Sequence, residues 1–132
     1  MRKIDKIILH CSATPEGRHV TVKDIDRWHR DRGFSGIGYH HVIYLDGSIH
    51  RGRPEENAGA HTVGQNATSI GVCYIGGVDE KMKPKDTRTS AQRDALKKIV
   101  SDLQQRFPGA TVHGHNEFAA KACPSFDVKK EF

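Results

Sequence analysis

The stretch Ser69–Gly77, SIGVCYIGG, restricts most tightly what this chain can fold into. It is apolar almost throughout, rich in β-branched residues and closed by a glycine pair, which is the pattern of a strand covered on both faces. Such a strand belongs at the centre of a sheet, and the rest of the chain supplies its neighbours. Residues 3–10, KIDKIILH, interleave polar and apolar positions and end in an apolar run, so they read as a second strand with His10 at its end. Strand ends are where α/β sheets carry functional side chains. Residues 39–53, YHHVIYLDGSIHRGR, read as a hairpin turning on Asp46-Gly47, with Tyr39 opening its first strand beside Gly38. Residues 110–115, ATVHGH, form a short last strand.

Two helices complete an α/β reading. The first runs over about 21–32, with Thr21 as N-cap, Asp24 at the third helical position and Gly33 to end it. Val22, Ile25 and Trp28 make its apolar stripe, so Trp28 and His29 are expected to pack rather than react. The second runs over about 90–106. Thr89 and Gln92 form a capping box, Leu96, Ile99, Val100 and Leu103 recur at helical spacing, and Pro108-Gly109 stop it. Residues 11–19, 34–38 and 78–88 are read as loops, and the polar, glycine-rich stretch 54–69 as a long loop of the functional kind.

The bulk properties exclude several classes. With 36% hydrophobic and 28% charged residues among 132, the chain is a soluble globular domain rather than a disordered one. No apolar run approaches the ~20 residues of a membrane span. The opening MRKIDKIILH imitates a signal peptide, but only Ile7–Leu9 are contiguous and apolar, so no export signal is expected. The formal charge of +5 is scattered and reads as a solvated surface, and no basic stripe or motif points to nucleic acid. Three widely spaced cysteines argue against a disulfide framework, and Cys11 and Cys73 are expected to be buried thiols.

The chemistry gathers in HGHNEFAAKACPSF, residues 113–126, which holds two histidines, a lysine and a cysteine. Thiolate and neutral imidazole are both good zinc ligands. With His10 as the third, His115 or His113 and Cys123 would make a site with three protein ligands and a fourth position for water, the catalytic arrangement. No HExxH helix or CxxC pair offers another kind of zinc site. Lys121, two residues before Cys123, could favour a thiolate or act on a reacting oxygen. His61 is the one strongly functional-looking side chain of the long loop, while His40 and His41 read as strand and core histidines.

Four blocks in order, HCSAT at 10–14, GYHHVIYLDGSIHRGR at 38–53, SIGVCYIGG at 69–77 and HNEFAAKACPSFD at 115–127, resemble the zinc-dependent N-acetylmuramoyl-L-alanine amidases of the amidase-2 family. The likeness is nearest to the T-odd bacteriophage lysozyme group, and the fold is shared with peptidoglycan recognition proteins. The resemblance implies a single catalytic domain over 1–132, built on one mixed central sheet of about five to six strands flanked by helices. It implies one zinc ion on His10, His115 and Cys123 plus water, with His113 set aside. It implies Tyr39 and Lys121 as catalytic side chains, and His61 and Asn66 as substrate contacts. The implied reaction is hydrolysis of the amide bond between N-acetylmuramic acid and L-alanine in peptidoglycan or muropeptides.

Two rival readings share this fold. A non-catalytic muropeptide-binding module would typically lack the cysteine ligand, and Cys123 is present. An RNA-polymerase-binding regulator draws on an N-terminal extension of the phage group that has no counterpart here, so that role stands unsupported. The chain is expected to act as a monomer made in the cytoplasm and to reach a cell wall only by lysis or dedicated secretion. A phage lysis enzyme, a recycling amidase and a delivered effector all remain open.

Overall fold

The computed structural model describes residues 2–132. Along the chain it forms β1 (Lys6–Cys11), β2 (Thr14–Pro15), α1 (Val22–Asp31), β3 (His41–Ile43) and β4 (Ile49–Arg51). These are followed by β5 (Ser69–Tyr74), β6 (Gly77–Val78), α2 (Ser90–Arg106), β7 (Thr111–Gly114) and α3 (Val128–Glu131). The main sheet has the order β4-β3-β5-β1-β7, antiparallel only between β3 and β4. This is the expected mixed sheet with five strands, and β5, buried at every residue, is its central strand. β2 and β6 pair in parallel as a separate two-stranded sheet.

Side-chain alternation divides the sheet into two faces. Ile7, Leu9 and Cys11 of β1 and Ile70, Val72 and Tyr74 of β5 join Leu96, Ile99, Val100 and Leu103 of α2 in the larger core. Fully burying one such aliphatic side chain contributes roughly 1.5–3 kcal/mol, so this face carries much of the stability. Gln92 of α2 is fully buried there and donates from Nε2 to the Ile75 carbonyl at 3.0 Å. On the other face, Ile25 of α1 packs with Val20, Ile37, Val42 and Ile75, and Trp28 lies against this smaller cluster as expected. Both capping boxes form, Thr21 with Asp24 and Thr89 with Gln92.

The boundaries differ from expectation where glycine or a close approach intervenes. The stretch read as one strand to Gly77 breaks after Tyr74, because Gly76 and Gly77 adopt φ of 130° and 102°. The chain then resumes as β6 beside Thr14–Pro15, inside a segment read as loop. The hairpin strands start at His41 rather than Tyr39. The carbonyls of Tyr39 and His40 instead accept from Arg53 and Gly52 in an irregular continuation of the ladder. α3 was not read from the sequence at all; it is four residues long and is capped by Asp127.

Candidate metal centre and cleft

His10 reaches the site because of its place in the alternation. Its neighbours Leu9 and Cys11 belong to the α2 core, so His10 points to the opposite face, where it is 1% exposed. The parallel register pairs Leu9 with Gly114, and this brings His115, the next residue after β7, beside His10 with ring centroids 4.7 Å apart. Cys123 arrives from the loop beyond. Its Sγ accepts the Cys11 backbone N–H at 3.2 Å and lies 3.8 Å from His10 Nδ1. The donor atoms of His10, His115 and Cys123 all fall within 4.8 Å of one another, the one such group of three among the described residues.

The donor set fits zinc. Tetrahedral bonds of about 2.0–2.1 Å to nitrogen and 2.3 Å to sulfur imply donor separations of about 3.3–3.6 Å, so only small shifts are needed to close on an ion. Burial, followed by the neighbouring His61, His115 and Lys121, holds the His10 pKa well below its ordinary value. Burial and then Lys121 lower that of His115, so both imidazoles present lone pairs at neutral pH. The Cys11 contact and burial push the Cys123 thiol up, while Cys11 is held at about 7 by the same contact. A cation among these donors would reverse the order, since a coordinated thiol is deprotonated outright.

Above the donors the surface opens into two adjoining cavities of about 330 and 230 Å³, and both are bounded by Tyr39, His115 and Lys121. The Tyr39 ring lies 5.1 Å from that of His10. Burial and then the nearby thiols of Cys73, Cys123 and Cys11 raise its pKa well above the ordinary value, so the phenol keeps its proton. Lys121 is exposed at the rim. His61 and Asn66 both line the larger cavity. His61 is 8% exposed, and Asn66 Oδ1 accepts the backbone N–H groups of His61 and Thr62 at 2.9 and 3.0 Å.

The remaining histidines fall outside the donor group. His113 bonds Thr111 and Glu117, at 2.7 and 2.8 Å. His40 is fully buried and His41 pairs with Glu55 at 2.5 Å. His29 accepts the Gly38 N–H at 2.9 Å and also borders both cavities, a place its packing role did not foretell. Sequence reasoning missed Arg32 and Phe34, which flank the larger cavity, and Thr62 and Ser69, which bond His61. The first two follow the end of α1 with no pattern to mark them, and the others are residue types too common to signal anything.

This arrangement, two neutral imidazoles and a cysteine beneath a cleft edged by Tyr39 and Lys121, is compatible with metal-assisted hydrolysis. The model of the amidase-2 family, described as N-acetylmuramoyl-L-alanine amidase, matches residues 1–126, and the chain belongs to that family. It is 43% identical over 126 residues to an endolysin of Escherichia phage T7, covering 96% of this chain and 83% of the relative. It is 40% identical over 129 residues to an endolysin of Klebsiella phage KP32, covering 98% and 85%. Among solved structures, the N-acetylmuramoyl-L-alanine amidase LysC from Clostridium intestinale superposes with a TM-score of 0.84 at 29% identity, covering 98% of this chain and 83% of that one. The chain is thus an amidase of the endolysin type, and among the described residues no helix is long and apolar enough to cross a membrane.

Proposed function

We propose that this amidase hydrolyses the bond between the lactyl group of N-acetylmuramic acid and L-alanine, using one zinc ion held by His10, His115 and Cys123. The observation that carries the proposal is the convergence of these donors within 4.8 Å beneath a cleft bordered by Tyr39 and Lys121. Bound zinc would supply an activated water at neutral pH and polarise the scissile carbonyl. Lys121 Nζ, at the rim, stabilises the negative charge that develops on the carbonyl oxygen. Tyr39 Oη, kept protonated by its surroundings, donates a hydrogen bond at the reacting centre and helps deliver a proton to the departing alanine nitrogen. The larger cavity, to whose wall His61 and Asn66 contribute surface, receives the muropeptide.

Residues 1–132 then act as one catalytic domain, and the endolysin relatives support a setting in which it meets peptidoglycan at lysis. Digestion of muropeptides by the purified protein, read by mass spectrometry, tests this. Stem peptides with a free L-alanine amino terminus should appear, vanish on chelation, return with zinc, and be absent with Cys123→Ala. Intact muropeptides from zinc-loaded protein would overturn the proposal, and new reducing sugar ends would place the cut at a different bond.

A further inference from the structure

We propose that His61 is a positioning residue for His10: its Nδ1 accepts the His10 Nε2 proton and so leaves His10 Nδ1 bare towards the metal. The inference rests on the zinc site proposed above. His10 Nε2 and His61 Nδ1 are 2.9 Å apart, and the opposite nitrogen of His10 is the one that faces Cys123 Sγ. The direction of the bond follows from the far end of the chain of contacts. Ser69 Oγ lies 2.8 Å from the Gln65 carbonyl, which can only accept, so the Ser69 hydroxyl donates there. Ser69 Oγ is then the acceptor for His61 Nε2–H at 3.3 Å. A neutral His61 with its proton on Nε2 has a bare Nδ1, which receives the proton of His10. Thr62 Oγ1, 3.3 Å from His10 Nε2, lies alongside and can share that proton.

The ring is closely confined. A Cβ on Gly71 would stand 2.6 Å from His61 Cδ2, and one on Gly59 would stand 2.5 Å from the same atom, so two glycines form a slot around the imidazole. Asn66 pins the backbone at its entrance. Both ring nitrogens are engaged inside the protein, so His61 meets the cleft with its shape while its polar atoms serve His10. Ligating histidines are commonly oriented by an acceptor at the other ring nitrogen, most often a carboxylate or carbonyl. Here another imidazole takes that place.

Zinc affinity, measured by chelator competition, and the visible spectrum of the Co2+ form test this on the whole chain. Removing such an orienting partner weakens metal binding by about 10–100-fold. His61→Leu should show that loss together with an altered Co2+ spectrum. His61→Asn, whose amide oxygen stands near the former Nδ1, should stay within a few-fold of the parent. A folded His61→Leu variant with unchanged zinc affinity and Co2+ spectrum, and only a raised KM, would overturn the proposal in favour of a substrate contact. If His61→Leu does not fold, Ser69→Ala carries the test: weaker zinc binding supports the relay and unchanged binding overturns it. A parent protein that binds zinc no better than Cys123→Ala would instead refute the metal site itself.

Discussion

Replacing Tyr74 by Phe removes one oxygen from the framework behind the metal site, and its consequence can be worked out. Tyr74 closes β5, is fully buried, and donates from Oη to the carbonyl of Pro124 at 2.7 Å. Pro124 is itself buried and directly follows Cys123. The phenylalanine ring keeps the packing against Phe126, so no large cavity opens, but the Pro124 carbonyl loses its donor. Leaving a buried acceptor unpaired costs about 1–3 kcal/mol. Unfolding entropy of roughly 2.1 cal/mol/K per residue gives about 0.28 kcal/mol/K over 132 residues. A loss of about 2 kcal/mol then lowers Tm by about 7 °C. Thermal melts of the metal-free protein followed by circular dichroism should show this, with a larger drop for Tyr74→Leu, which also empties ring volume. A drop under about 2 °C for Tyr74→Phe, or equal drops for the two variants, would refute the reasoning that the hydroxyl anchors this segment.

Three further variants probe the site and its surrounding loop. Lys121→Met should lower kcat by about 10²–10³-fold, as loss of an oxyanion partner does, with zinc content by elemental analysis unchanged. Tyr39→Phe should lower it by about 10²-fold or more on the same terms, and loss of the metal in either variant would show a role in the fold instead. Glu55 bonds Arg106 and His41, and these contacts, Arg106 first, hold its carboxyl at about 2. A depressed carboxyl stabilises the fold above its ordinary value of 4.5 and loses that contribution as pH falls through about 2. The carboxylate is partly buried, but its partner Arg106 is about half exposed, and solvent screening there discounts the effect to about 1 kcal/mol. Glu55→Gln should therefore destabilise by that amount in urea at pH 7 and by nothing near pH 2, and equal losses at both pH values would refute the ion-pair account.

How much of the site was legible depends on which physical fact each residue expresses. His10, His115 and Cys123 could be picked out as candidates because thiolate and imidazole are good zinc ligands and because two of them lie at or beside the ends of strands. The choice of His115 over His113 needed the resemblance, and the structure groups His115 rather than His113 with the other two donors. The register sets His113 opposite Ile8, two residues short of the site, where Thr111 and Glu117 engage both of its nitrogens. Tyr39 was expected to open a strand, yet it stands just before one, at the point where irregular pairing lets its ring lie over His10. The roles of Thr62, Ser69 and Gly71 could not be read at all, because each is defined by its distance to the His61 ring and by nothing in its own neighbourhood. The apolar stretch at 69–77 shows the same limit within one strand. Its burial was plain, and towards α2 the residues Ile70, Val72 and Tyr74 meet the aliphatic core that such a pattern predicts. On its other face stand Ser69 and Gly71, small enough to admit the imidazole that orients His10. A one-residue slip of β5 would set branched side chains in that slot, so strand register and the His10–His61 contact depend on one another.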